Sequence, residues 1–185
     1  MDVMLDLETW GTKPGSAIRS IAAVEFNFEG ALVAAHYFYC NITDKSCLDA
    51  GLKRDPSTVA WWNRRTEEAQ QALLADQVPL IVASRNFILW WRSRATGAKV
   101  WAQGAGFDPV LWEAACEACG GFVPWDFRDV RDTRTLYALA KLDPKIIKFE
   151  GERHNALDDC RYQIKCCRAA WQILRGDPAN FTTKV

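Results

Sequence analysis

The first 41 residues constrain the fold most strongly, because they hold three consecutive segments with β-strand character. Residues 2–7 (DVMLDL) form a short apolar run before a turn-rich stretch at 12–16. Residues 18–28 and 31–41 are rich in Val, Ile, Phe and Tyr and are separated by Glu29-Gly30. Such a dipeptide between two β-rich runs indicates a tight hairpin turn. The chain is therefore predicted to open with three strands, the second and third of them antiparallel.

The pattern changes to helix after Pro56. Thr66 precedes Glu67 and Glu68, which is typical of a helix N-cap followed by an acidic first turn. The sequence predicts helices at residues 57–65, 66–75, 79–95, 108–119, 131–139 and 155–174, and a short strand at 99–103 closed by a Gly-Ala-Gly turn. Strands followed by helices and a further strand predict an α/β layer structure with a mixed sheet.

Length and composition indicate one well-buried domain. The 185 residues are 49% apolar and 12% aromatic, enough for one core and too few for two ordinary domains. We expect the domain to span residues 1–175, with 176–185 as a loose C-terminal tail. The 23 basic and 23 acidic side chains balance. This balance argues against a wide basic footprint for a long polyanion, but it does not exclude a nucleic-acid partner.

The chain carries no sequence signal for a membrane or for export. It has no apolar run of about 18 residues, and its start, MDVMLDLE, lacks the basic segment and apolar core of a signal peptide. Its seven cysteines are an odd number in a chain too long to need disulfide staples. We therefore expect a soluble, cytoplasmic protein with reduced thiols and no membrane partner.

Cys116 and Cys119 form a C-x-x-C spacing, which can mark a zinc or thiol redox site. The sequence has no second C-x-x-C, and the pair lies late in a predicted helix, where nothing stabilises a thiolate. The alternative is ordinary apolar packing. These features favour packing.

Carboxylates at the ends of predicted elements are the most informative residues. Asp6 and Glu8 flank Leu7 at the end of the first strand, and β alternation places both on one face. Adjacent negative charges repel unless a cation neutralises them, and hard carboxylate oxygens suit Mg²⁺ or Mn²⁺. The alternative is a solvated pair at a strand end. Asp108, after the Gly-Ala-Gly turn, is either a simple helix N-cap or a ligand at the same sheet edge.

His154 and Asp159 can converge only if the histidine precedes the last predicted helix. Residues five apart on a helix point about 140° apart, but Asn155 as N-cap leaves His154 on the loop. Asp158 then falls at the third helical position and reaches back to the cap, leaving Asp159 as the ligand; the adjacent pair also permits the reverse. His154 is either an exposed loop histidine or a general base, since an imidazole titrates near neutrality.

In order along the chain, DLETW, GAGFDPVLW and HNALDDC resemble the motifs of DnaQ-like (DEDDh) 3′-5′ exonucleases. That family has D-x-E in its first strand, F-D at the start of a middle helix and H-x-A-x-x-D near the end. RDPSTVAWWNRRTEEAQQAL and WAQGAGFD further resemble the branch with mycobacterial RNase AS and phage-encoded exonucleases. Gly104 stands where many members have Asn before F-D, a departure that concerns a substrate-positioning contact and not the metal chemistry.

The resemblance implies an RNase H-like fold, a mixed five-stranded sheet flanked by helices with an acidic cluster at the sheet end. It implies two Mg²⁺ ions, for which Mn²⁺ can substitute, held by Asp6, Glu8, Asp108 and Asp159, with Asp6 bridging both. These ions would clamp the scissile phosphate, and His154 would take the proton of the attacking water. The predicted catalytic set is these four carboxylates and His154.

Nine tryptophans raise the question of base stacking on a single strand. Most must be core, but Trp10 and Phe107 neighbour the predicted catalytic residues in sequence. Trp61 and Trp62 point about 100° apart on a helix, so at most one of them faces a substrate. The predicted substrate-binding residues are Leu7, Thr9, Trp10, Trp62 and Phe107.

The predicted function is metal-dependent 3′-5′ exonuclease activity that releases nucleoside 5′-monophosphates from the 3′ end of single-stranded RNA or DNA. The sequence does not choose between the two polymers, because the residues that would contact a 2′-hydroxyl cannot be placed. The rival is a catalytically inactive nucleic-acid-binding or scaffold module, which predicts the loss of a metal ligand, whereas all five positions are filled. The family resemblance also suggests a homodimer.

Overall fold

A five-stranded mixed sheet organises the computed structural model, which describes residues 1–29 and 36–176. The strands are β1 (Asp2–Thr9), β2 (Ile18–Phe26), β3 (Tyr37–Asn41), β4 (Lys99–Ala102) and β5 (Val130–Asp132). They lie in the order β3-β2-β1-β4-β5, with β1, β2 and β3 antiparallel and β4 and β5 extending the sheet parallel to β1. The carboxyl ends of β1, β4 and β5 therefore meet at one edge, where ligands bind in open α/β sheets.

Helices cover both faces of this sheet. They are α1 (Asp44–Asp49), α2 (Pro56–Trp62), α3 (Glu67–Ala72), α4 (Leu80–Arg94), α5 (Asp108–Ala118), α6 (Thr133–Ala140) and α7 (Ala156–Leu174). Two predicted caps are confirmed. The Thr66 hydroxyl accepts the Ala69 N–H at the start of α3, and the Asn155 side chain accepts the Leu157 and Asp158 N–H groups at the start of α7.

Alternation along β1 separates two hydrophobic cores. Val3 and Leu5 belong to the core that contains residues of α4 and α5, whereas Met4 belongs to the core formed with α6 and α7. Because successive strand residues point to opposite faces, Asp6 and Glu8 follow Met4 onto the α7 side. A central strand buried on both faces thus fixes the direction of both carboxylates.

Two parts of the predicted secondary structure were wrong. A helix was expected from residue 131 to 139, but Arg131 and Asp132 pair with β4 as the end of β5, and the helix begins at Thr133. Helix α1 was not predicted, because six residues are too few for a periodic signal.

Three further boundaries concern the chain segments around the described residues. β2 ends at Phe26, before residue 28 where its end was expected. The expected turn residue Gly30 and the first part of the expected third strand, 31–35, lie outside the described residues. So do residues 177–185 of the expected tail.

The thiols are free, in agreement with the expectation from their number. Cys116 is buried beneath α4, and the Ser84 hydroxyl donates to its sulfur at 3.4 Å. Burial raises the pKa of the Cys116 thiol to about 12, which opposes thiolate chemistry. These contacts support packing over zinc or redox chemistry for the C-x-x-C pair. Separately, the described helices include none long and apolar enough to cross a membrane.

Candidate active site

The candidate site is a cavity of about 400 Å³ at the edge where β1, β4 and β5 end. It brings together side chains that are up to 157 residues apart in sequence, the separation between Asp6 and Gln163. Its walls include all five predicted catalytic residues: Asp6, Glu8, Asp108, His154 and Asp159. The cavity therefore contains the whole constellation that the motifs implied.

The end of β1 presents the first two carboxylates. Asp6 accepts a hydrogen bond from the Nε2 atom of Gln163 on α7 at 2.7 Å. Glu8 is 7% exposed, and the register with β2 shifts between Glu8 and Thr9. Bulges of this kind are frequent next to active sites, where they redirect a side chain. Gln163 was not foreseen, because nothing in the sequence links it to a residue 157 positions earlier.

Asp108 reaches the cavity from the start of α5 and does not cap that helix. Phe107 occupies the N-cap position without a side-chain capping bond. The Asp108 carboxylate instead accepts the backbone N–H of Leu7 at 3.1 Å, and the residue is only 3% exposed. The simple N-cap hypothesis is therefore wrong, since the side chain points across to β1.

His154 lies on the loop before α7, as convergence with Asp159 requires. Its backbone is left-handed, with φ of 64°, a conformation that is uncommon for residues other than glycine and clusters at functional sites. This turn directs the His154 N–H to the Asp159 carboxylate at 3.0 Å. One ligand atom from each of Glu8, His154 and Asp159 lies within 4.8 Å of the others.

Asp158 has a separate structural task. Its carboxylate accepts the Glu152 N–H at 3.0 Å and pairs with Arg161 at 3.0 Å. The expectation that it would reach back to the helix cap was wrong in detail, because its partner is the earlier residue Glu152. Gly151 makes this closure possible, since it has φ of +102° and an added Cβ would meet the Asp158 carboxylate at 2.4 Å. The adjacent Asp159 is the aspartate that lines the cavity.

The four carboxylates have raised pKa values because they are crowded and buried. Burial, followed by repulsion from neighbouring carboxylates, raises the pKa of Glu8 to about 8 and that of Asp6 well above its usual range. Burial is also the main cause that raises the pKa of Asp108 to about 7 and that of Asp159 to about 6. A carboxylate cluster with such raised pKa values favours the binding of a cation that neutralises its charge.

The donor set fits hard divalent cations. Carboxylate oxygens are the ligands that Mg²⁺ and Mn²⁺ prefer. The basic side chains that lower these pKa values act singly: Arg19 on Glu8, Arg134 on Asp108 and Arg153 on Asp159. For Asp6, the opposing influence is the neutral amide of Gln163. This charge pattern, like the donor set, fits a divalent cation at the centre of the cluster.

A second cavity of about 390 Å³ adjoins the first and shares Leu7, Glu8 and Phe107 with it. Four of the predicted substrate-binding residues line it: Leu7, Thr9, Trp62 and Phe107. Trp62 is nonetheless 2% exposed, and its indole N–H donates to the Thr9 carbonyl at 2.9 Å. The neighbouring Trp61 is less buried, and its ring meets the His154 ring edge-on with centroids 4.8 Å apart.

Trp10 lines neither cavity and packs against a buried cation. The Arg19 guanidinium lies between Trp10 and Trp62, 4.1 and 4.2 Å from their ring centroids. Arg19 is 6% exposed, and its charge opposes the rise in the pKa of Glu8. Arg19 was not foreseen either, because an arginine within a strand has no sequence signal that separates a buried position from a solvated one.

Three solved structures share this architecture, each aligned over 96% of this chain. Cell-death related nuclease 4 (CRN-4) has a TM-score of 0.58 and 10% identity, and this chain covers 66% of it, slightly under two thirds. S. pombe Pop2p in its Mg²⁺- and Mn²⁺-bound form has a TM-score of 0.60 and 12% identity, with 84% covered. A full-length 3′-exonuclease has a TM-score of 0.54 and 11% identity, also with 84% covered. The predicted RNase H-like α/β fold is thereby confirmed.

The family of this chain is identified from its sequence. No protein with a curated description is significantly similar to this chain. Residues 1–171 match the model of the Rv2179c-like domain, which is described as a 3′-5′ exoribonuclease domain. This match covers every predicted site residue and confirms the predicted class of domain, a 3′-5′ exonuclease domain. The chain belongs to the Rv2179c-like 3′-5′ exoribonuclease domain family.

Proposed function

We propose that this chain is a metal-dependent 3′-5′ exonuclease that releases nucleoside 5′-monophosphates from the 3′ end of single-stranded nucleic acid. The observation that carries the proposal is the convergence of four buried or half-buried carboxylates and a loop histidine on one cavity. The family description favours RNA over DNA as the substrate. The Mg²⁺- and Mn²⁺-bound form of Pop2p supports these two ions as the cofactors.

Asp6, Glu8, Asp108 and Asp159 would hold two such ions. When bound, the ions would supply charge stabilisation for the scissile phosphate and the departing oxygen. The protein's own contribution is to fix the carboxylates. Gln163 orients Asp6, the Leu7 N–H orients Asp108 and the His154 N–H orients Asp159. Outer hydrogen bonds of this kind set the direction of metal ligands.

His154 would act as the general base. Burial, followed by the charges of Arg65 and Arg153, lowers the pKa of the His154 imidazole, so the ring is neutral and able to accept a proton near pH 7. In the proposed step the water oxygen bonds to phosphorus, its proton passes to His154, and the bond from phosphorus to the 3′ oxygen breaks. The leaving 3′ oxygen then takes a proton from solvent.

The second cavity would receive the terminal nucleoside. It opens directly beside Glu8 and is lined by the aromatic rings of Trp61, Trp62 and Phe107. Aromatic faces stack on any base and contribute about 1–3 kcal/mol per base. A terminal base in this cavity would place the phosphodiester on its 5′ side in the acidic cavity.

A digestion panel tests the proposal. Single-stranded RNA and DNA and the corresponding duplexes, labelled at either end, are incubated with Mg²⁺, Mn²⁺ or EDTA, and the products are separated by size. We expect metal-dependent release of nucleoside 5′-monophosphate from the 3′ end, faster on single-stranded RNA. Binding without cleavage under every metal condition would instead indicate the inactive module.

A further inference from the structure

Arg134 is a cationic side chain of the acidic cavity that the proposed chemistry leaves without a role. It lies in the first turn of α6, and the Asp132 carboxylate, which caps this helix, accepts its backbone N–H. Within residues 1–29 and 36–176 its guanidinium makes no ion pair within 4.0 Å, although its charge lowers the pKa of Asp108. An arginine held near a carboxylate cluster without pairing to it is available to an anion.

Gly104 provides the space that this guanidinium occupies. Its φ is +122°, and a Cβ added there would lie 3.3 Å from the Arg134 Nη1 atom. A side chain at position 104 would therefore crowd the guanidinium. At Gly104 this chain departs from the family pattern, in which many members have Asn. The Arg134 guanidinium lies beside this position.

The second arginine of the cavity differs in its environment. The Arg153 guanidinium lies over the Phe149 ring, 4.6 Å from its centroid, and its charge acts on Asp159 and His154. Arg153 is thus engaged with an aromatic ring on the histidine side, whereas Arg134, on the Asp108 side, has no ion-pair partner in the part of the chain that the structure describes.

The arrangement of the two cavities gives a direction to the substrate. Leu7, Glu8 and Phe107 line both cavities, whereas Asp108 and Arg134 line only the acidic one. If the terminal nucleoside occupies the apolar cavity, the chain continues in the 5′ direction through the acidic cavity, whose lining includes two arginines, Arg134 and Arg153. Because Arg153 already lies over the Phe149 ring, Arg134 is the arginine that we expect the next phosphodiester to meet.

We propose that Arg134 binds the phosphodiester immediately 5′ of the scissile one, in the space that Gly104 leaves open. This inference rests on the proposed exonuclease function. A guanidinium matches two non-bridging phosphate oxygens with paired hydrogen bonds. Arg134 thereby supplies a backbone contact that does not depend on the base, consistent with a protein that lacks a wide basic surface.

A double-mutant cycle, in which the arginine and the 5′ linkage of the substrate are changed separately and together, tests this contact. The substrate is a single-stranded trinucleotide whose 5′ linkage is either a phosphodiester or an uncharged methylphosphonate, while the scissile linkage stays a phosphodiester. Wild-type protein, Arg134→Ala and Arg134→Lys are compared by kcat/KM with Mg²⁺. Arg94→Ala is the matched control, because Arg94 is an exposed arginine in the last turn of α4 and lines neither cavity.

On the phosphodiester substrate we expect Arg134→Ala to lower kcat/KM about tenfold or more, with a smaller loss for Arg134→Lys. The methylphosphonate should cost the wild type and Arg94→Ala a similar factor, but cost Arg134→Ala less than about twofold. An equal cost in Arg134→Ala and the wild type overturns the contact while leaving the exonuclease function intact. Absence of metal-dependent 3′ cleavage by folded wild-type protein overturns both.

Discussion

The two adjoining cavities have nearly the same volume, about 400 and 390 Å³, and opposite chemistry. The first is walled by carboxylates whose pKa values are raised by burial. The second is walled mainly by Trp61, Trp62 and Phe107 together with small polar side chains. Only three residues, Leu7, Glu8 and Phe107, belong to both. In the proposed function, the first cavity performs the chemistry and the second recognises the end of the strand.

β1 contributes to both cavities: Asp6 lines only the acidic one, Thr9 lines only the apolar one, and Leu7 and Glu8 line both. Asp6 and Glu8 point to one face of β1, and Leu7 points to the other. The carboxylates of the acidic cavity repel one another when ionised, and a bound cation would neutralise this repulsion. The apolar cavity has no such cluster of like charges. Substitutions in the first should therefore reduce kcat, and substitutions in the second should raise KM.

The largest effect is expected for Asp6→Asn. The change keeps the shape of the side chain and removes the charge at the centre of the carboxylate cluster, so we expect kcat to fall by about 10³-fold or more, roughly 4 kcal/mol. Steady-state kinetics on labelled RNA with Mg²⁺ gives the value. Asp49→Asn is the control, because Asp49 is an exposed carboxylate on α1 paired with Lys45. Equal kcat for wild type and Asp6→Asn contradicts the role of this cavity.

His154→Ala should reduce kcat about 10²- to 10⁴-fold and leave the affinity for Mn²⁺ nearly unchanged, because the carboxylates stay in place. Single-turnover kinetics separates the chemical step from product release. The matched control is His36→Ala, since His36 is the other histidine of the chain and faces Glu25. A loss of metal binding that accounts for the whole loss of rate would show that His154 acts as a ligand and not as a base.

The metal-free protein should lose stability as pH rises from about 5 to about 8. The folded-state pKa values of Asp159, Asp108 and Glu8, about 6, 7 and 8, lie above their usual values near 4. The folded state therefore binds more protons than the unfolded state in this window, and its advantage disappears as the groups ionise.

Bound metal should reverse this trend. At a Mg²⁺ concentration of about 100 times Kd, the free energy of unfolding should rise by about 2.7 kcal/mol, and the gain should be largest at the upper end of the window. Thermal melts in EDTA and in Mg²⁺ across the pH range measure both effects. A melting temperature in EDTA that rises steadily with pH would be inconsistent with a cluster of raised carboxylates.

The smallest effect is expected at the apolar cavity. Phe107→Ala removes a ring without removing a capping bond, since the Phe107 side chain makes none. Loss of one stacking contact corresponds to about a tenfold increase in KM, with kcat changed far less. Phe122→Ala, at a phenylalanine that is 55% exposed and lines neither cavity, serves as the control. A decrease confined to kcat would break the distinction between the two cavities.

Local sequence rules predicted the elements that depend on local signals. The caps at Thr66 and Asn155, the shared face of Asp6 and Glu8 and the position of His154 before α7 all follow from residues close in the chain. β5 was partly mistaken for helix because its three residues acquire their conformation from pairing with β4. A partner distant in sequence leaves no pattern in so short a segment.

The residues that support the site could not be predicted from the sequence, for the same reason. Gln163 meets Asp6 across 157 positions, and Arg19 is buried between two tryptophans. The space for the Arg134 guanidinium depends on Gly104, which follows β4. Motif residues could be named from their chemical type and order, whereas these partners depend on how α7, β2 and α6 pack around β1.

Counting bound Mn²⁺ tests the central claim most directly. Titration of the folded wild-type protein, with nucleoside 5′-monophosphate present, is followed by the electron paramagnetic resonance signal of free Mn²⁺. We expect two ions bound per chain, and loss of at least one of them in Asp6→Asn but not in Asp49→Asn. No saturable binding by the wild type, or equal binding by wild type and Asp6→Asn, would show that these carboxylates do not form a metal centre.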